Sequence, residues 1–139
     1  LIDQVSGDMI LFEVSYNIIE FAFAKASRIA EVEERLGTYL SMIQPYLRDH
    51  NHELQGWGVN PNWAKNDNSP VKSPRYKMLM NFLELSKAKN DPFFHDYPEY
   101  GSFICGSQVQ LDVSKTSYSR VLNAFNQIEG PKAVLLANS

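Results

Sequence analysis

The chain has 139 residues, of which 44% are hydrophobic, 21% charged and 12% aromatic, with a net charge of −3. That length suits one domain, and the mildly acidic balance argues against a general nucleic-acid-binding or polybasic membrane surface. No apolar run approaches the roughly 20 residues needed to cross a bilayer. A lone cysteine, Cys105, cannot close an internal disulfide, which fits a reducing compartment such as the cytoplasm.

Residues 9–16 alternate with period two: Ile10, Phe12, Val14 and Tyr16 form one face, and Leu11, Glu13 and Ser15 the other. Residues 18–23 alternate again, with Ile19, Phe21 and Phe23 opposite Ile18, Glu20 and Ala22. The apolar face changes parity near Asn17, which predicts a bend or bulge there and lets Glu13 and Glu20 share a face. Glu20 stands between Ile19 and Phe21 and is costly to bury without a cation or donor. The plainer reading is a wet strand face with Glu20 solvated.

Apolar positions 29, 32, 36, 39, 40, 43 and 47 predict an amphipathic helix over 28–48, with Glu31, Glu33 and Glu34 in its first turns and a kink or restart at Pro45. His50 and His52 follow, but no third metal ligand has a recognisable spacing. A short strand is expected around 54–59, then a long loop rich in Asn, Asp, Ser and Pro up to Pro74. Ser73-Pro74 reads as a helix start, with apolar positions 76, 79, 80 and 83. Arg75 opposes the helix dipole in that first turn; a bound anion would explain it, and so would a surface carboxylate.

An aromatic loop over 90–101, containing His95, leads to Phe103-Ile-Cys-Gly-Ser-Gln-Val-Gln-Leu-Asp112. That stretch alternates as a half-buried strand, with Cys105 on its apolar side as a buried thiol, and Gln108 and Gln110 on its polar side. Ser114 is expected to cap a helix with apolar positions 118, 121, 122, 125 and 128, broken at Gly130-Pro131 before a second helix. The final run Ala133-Val-Leu-Leu-Ala-Asn-Ser139 carries no helix stop signal, so the chain reads as a single internal segment of a longer polypeptide.

Five pieces in order resemble the glutamate–cysteine ligase family: Ile18-Ile-Glu-Phe21, Gly56-Trp-Gly-Val-Asn-Pro61 with Trp63, Pro74-Arg-Tyr-Lys-Met78, Cys105-Gly-Ser-Gln-Val-Gln-Leu-Asp112, and Leu135-Leu-Ala-Asn-Ser139. The pattern is most similar to bacterial members related to the plant-type enzymes and to the ligase half of bifunctional glutathione-synthesising proteins. The resemblance implies an α+β fold, an antiparallel sheet with flanking helices forming part of a glutamine-synthetase-like bowl. It implies ATP-dependent ligation of the glutamate γ-carboxylate to the cysteine amine through a γ-glutamyl phosphate, with Mg²⁺ or Mn²⁺ as cofactor. By position it implies Glu20 and Glu13 as metal ligands, Arg75 as the catalytic residue facing an anionic substrate group, and Gln108 and Gln110 as substrate-binding residues. The segment alone, with half the bowl missing, is expected to be inactive. A ligase-derived module that only binds, and a ligase joining glutamate to another amine, are the alternatives.

Overall fold

A computed structural model describes residues 2–88 and 98–136. The chain divides into two units, Leu1–Ile104 and Cys105–Ser139.

The first unit is built on an antiparallel hairpin of β1, Met9–Glu13, and β2, Ser15–Ala22. Met9 pairs with Ala22, Ile10 with Phe21, Leu11 with Glu20 and Phe12 with Ile19, and the register shifts between Phe12 and Glu13. A bend or bulge was expected near Asn17; instead the chain reverses at Val14, inside the first alternating run, where a φ of +53° lies in the left-handed region. A β-branched residue is strained there. Val14 accepts the strain because its side chain is buried and its carbonyl receives the Val71 N–H at 2.6 Å.

A two-stranded hairpin is marginal alone, and three loop contacts steady this one. Ser15 bridges to Pro70, the Asn17 side-chain amide donates to the Asp67 carbonyl at 2.6 Å, and the buried Ser15 hydroxyl donates to the Ser102 carbonyl at 2.7 Å. The long polar loop is thus tied to the hairpin, and Asn68 closes it internally onto the Trp63 carbonyl.

Helix α1, Ile29–Asp49, lies where the apolar periodicity places it. It runs through Pro45 without a restart. Proline removes the hydrogen bond to the carbonyl four residues back, that of Ser41, and Ser41 is exposed so water can take its place. Glu31 secures the start, accepting from the Ser27 N–H and the Arg28 guanidinium, both at 3.1 Å. At the other end Asn51 takes a φ of +59°, the Asn51 N–H reaches the Arg48 carbonyl and the His52 N–H reaches the Leu47 carbonyl. That is a Schellman closure with asparagine in the left-handed position. The two histidines belong to it: Nδ1 of His50 meets the Tyr46 carbonyl and Nδ1 of His52 the His50 carbonyl.

Helix α2, Pro74–Ala88, begins at the expected proline. Tyr76 and Leu83 are buried with Val14, Ile18 and Phe103, and these five residues are the apolar core. Trp63 stacks on Phe103 with ring centroids 4.9 Å apart. A short 3-10 helix, Pro98–Ser102, brings Phe103 to this core. His95 and most of the aromatic loop lie outside the described residues.

Two expected strands are absent. Around 54–59 and 103–112 the pairing is a single bridge, Val59 with Ile104, supported by the Asn60 N–H on the Phe103 carbonyl at 2.9 Å. A strand persists only where a neighbouring strand takes its backbone hydrogen bonds; here the Gln44 side chain takes the N–H and the carbonyl of Leu54, at 3.1 and 2.7 Å, and strand pairing goes no further than the one bridge. Alternation alone cannot supply the neighbour.

In the second unit residues 105–114 carry no regular secondary structure. Cys105 is exposed, correcting the expectation of a buried thiol. A turn in which the Ser114 carbonyl accepts the N–H groups of Ser117 and Tyr118 leads into helix α3, Tyr118–Leu136. The helix continues through Gly130 and Pro131, where a break was expected. The Gln127 carbonyl that proline leaves unpaired belongs to an exposed residue, and a Glu129–Lys132 ion pair of 2.6 Å spans the site.

The expected class, α+β with an antiparallel sheet and flanking helices, agrees with one two-stranded sheet and three α-helices among the described residues. No described helix is long and apolar enough to cross a membrane.

Candidate functional site

The pairing of Leu11 with Glu20 puts Glu20 on the hairpin face that also carries Leu11, Glu13 and Ile18. Glu13 stands at the register shift, one pleat beyond Leu11. The carboxyl groups of Glu20 and Glu13 are near enough for Glu13 to act on the Glu20 pKa. This face is not simply solvated: Ile18 is buried on it, and Tyr76 of α2 reaches it, its hydroxyl donating to Oε2 of Glu13 at 3.4 Å.

Glu20 answers electrically to that company. Burial pushes its carboxyl above the ordinary carboxylate value, and the hydrogen bond and negative charge of Glu13 push the same way. The charge of Arg75 pulls back, and the rise survives it. Arg75 is the second residue of α2, with its guanidinium carbon 5.6 Å from the centre of the Tyr76 ring. Two carboxyl groups therefore stand close together with the Arg75 charge nearby. Such a pair is short of positive charge, a lack that a hard divalent cation would relieve.

Three of the residues predicted from sequence, Glu13, Glu20 and Arg75, are thus brought together in the first unit. The other two, Gln108 and Gln110, lie in the second unit, on its exposed segment without regular structure. Among the described residues no group of three or more His, Cys, Asp or Glu side chains can hold a metal. The pair itself suits magnesium, which keeps several waters and uses one or two carboxylates with substrate oxygens. Shallow hollows of 470 and 650 Å³ along α2 are lined by Lys77, Asn81 and their neighbours and include none of these three residues.

Sequence reading missed a second charged constellation, at the open end of the hairpin. Asp8 is 2% exposed. Its Oδ1 accepts the Ala24 N–H at 2.6 Å and Arg35 Nη1 at 2.8 Å, and its Oδ2 accepts the Tyr39 hydroxyl at 2.8 Å. Burial alone would raise its pKa, but the Ala24 and Tyr39 hydrogen bonds and the Arg35 charge together hold it below the ordinary value. The Tyr39 ring stacks with Phe21 and Phe23 at 6.3 Å, so α1 is held by charge to Asp8, just before β1, and by aromatic contact to the end of β2. Its only local sign is Gly7, whose φ of +78° makes the turn into Asp8. Arg35 and Tyr39 are 27 and 31 residues away from Asp8 in sequence.

Comparison with curated proteins and with solved structures returns no match. The model of Glutamate-cysteine ligase family 2 matches residues 4–139, a span that includes the hairpin carboxylates, the start of α2 and both glutamines, and the chain belongs to that family.

Proposed function

We propose that the protein ligates the γ-carboxylate of glutamate to the amine of cysteine at the expense of ATP, through a γ-glutamyl phosphate. The observation that carries this reading is the Glu13–Glu20 pair on one hairpin face with the Arg75 charge beside it. Phosphoryl transfer to a carboxylate brings two anions together, so the site must supply positive charge where they meet. Mg²⁺ or Mn²⁺, when bound, neutralises phosphate oxygens and draws charge off the transferring group.

In this reading Glu20 and Glu13 hold the metal, each giving a carboxylate oxygen. Arg75 faces the anionic group of glutamate or of the acyl phosphate, where its fixed charge favours the transferring state over free substrate. Gln108 and Gln110 orient a substrate with neutral amides, which add hydrogen bonds without adding charge. The hairpin forms one wall of a glutamine-synthetase-like bowl, with ATP and glutamate inside.

The test is product analysis with the whole protein, Mg-ATP, glutamate and a panel of amines. The expected result is γ-glutamylcysteine by mass spectrometry with stoichiometric ADP. Turnover with a different amine would reassign the acceptor, and Mg-ATP binding without turnover on any amine would make the protein a binding module.

A further inference from the structure

The core requires a large apolar side chain at position 76, and phenylalanine would meet that need as well as tyrosine. Tyr76 is 8% exposed, on the 76, 79, 80, 83 stripe that faces inward, and its hydroxyl adds nothing to apolar burial. What the hydroxyl does is donate to Oε2 of Glu13, a residue 63 positions earlier. Glu13 is the hairpin residue most in need of a restraint, because the register shifts beside it and the regular ladder ends there. The ring face of the same tyrosine serves Arg75, whose guanidinium lies over it at 5.6 Å from the centroid. One side chain therefore touches a member of the carboxylate pair with its hydroxyl and the neighbouring cation with its face.

We infer that Tyr76 is a positioning residue for the proposed metal site. It engages one oxygen of Glu13 so that the other stays available to a divalent cation, and its ring steadies Arg75 beside the pair. The inference rests on the reading of Glu13 and Glu20 as metal ligands. Outer partners of this kind orient a ligating carboxylate, and their removal typically weakens metal binding by about 10- to 100-fold. The 3.4 Å separation places Tyr76 at the lower end of that range, near tenfold.

The experiment measures Mn²⁺ affinity by calorimetry and electron paramagnetic resonance on the whole protein, with circular dichroism to show that each variant is folded. Tyr76→Phe keeps the ring and removes the hydroxyl; the expected result is Mn²⁺ binding weakened about tenfold with the KM for glutamate within about twofold of wild type, because the face under Arg75 is retained. Tyr76→Leu is expected to weaken Mn²⁺ to the same degree and also to raise the KM for glutamate. In a Glu13→Gln background Tyr76→Phe should have no further effect on Mn²⁺, which a merely structural tyrosine would not produce. Wild-type Mn²⁺ affinity in Tyr76→Phe, or an undiminished effect in the Glu13→Gln background, overturns the inference. Glu20→Gln separates the two levels. If it abolishes Mn²⁺ binding while Tyr76→Phe does not alter it, Tyr76 alone is misassigned. If Glu20→Gln also binds Mn²⁺ as wild type, the metal site itself is wrong and the inference falls with it.

Discussion

Glu20 is held in a conformation its own charge resists. Its carboxyl pKa is raised by burial and by Glu13, so ionising it costs more in the folded chain than in the unfolded one. A group with a raised folded pKa supports the fold below its unfolded pKa and loses that support as pH rises through the folded value. At neutral pH without metal, Glu20→Gln should therefore stabilise the protein, by a few tenths to about 1 kcal/mol given the partial exposure. Thermal melts in EDTA at pH 7 check this. Asp8 behaves in the opposite sense. Its pKa is lowered, so its contribution is present above the unfolded value and is lost as pH falls through the lower folded one. Asp8→Asn should cost about 2 kcal/mol at pH 7, since Arg35 is left with a lost partner but some access to water. It should also flatten the stability curve below about pH 4, as read from urea midpoints across pH.

At the scale of elements, what is encoded locally was legible and what depends on a distant neighbour was not. Helices α1 and α2 follow from periodicity and from Ser73-Pro74, because a helix satisfies its backbone within itself. The prolines at 45 and 131 misled because each occupies an exposed turn where the carbonyl left without its helix bond is open to water. Pro45→Ala should accordingly restore that bond and raise stability by about 1–3 kcal/mol, measured as a shift in the denaturant midpoint. Strands at 54–59 and 103–112 failed for the converse reason: their alternation is real, but a partner is needed and only Val59 and Ile104 meet. The two runs were legible as extended chain, whereas their pairing as a hairpin through Val14 was not, since a left-handed valine is disfavoured until burial and the Val71 hydrogen bond hold it.

Across the whole molecule, membership of Glutamate-cysteine ligase family 2 over residues 4–139 and the local chemistry of the hairpin point the same way. The acidic half of the candidate site could be read from Glu20 alone, because a carboxylate inside an apolar strand demands an explanation. Its meeting with Glu13 and Arg75 follows from the pairing of β1 with β2 and the start of α2 nearby. Tyr76 escaped notice because a tyrosine on an apolar helical stripe looks like core, and only the contact with Glu13 gives its hydroxyl a purpose. The Asp8 clasp escaped because a lone aspartate after glycine resembles an ordinary turn.

The central claim is that the hairpin carboxylates do the metal's holding for a glutamate–cysteine ligation. Its most direct test is ADP release by the whole protein, dependent on glutamate and cysteine together, titrated with Mg²⁺ for wild type and Glu20→Gln. Cysteine-dependent turnover is expected in the wild type, and in Glu20→Gln a fall of at least about 100-fold, consistent with loss of a directly stabilising contact, with a higher Mg²⁺ requirement. Unchanged turnover and Mg²⁺ dependence in Glu20→Gln would contradict it.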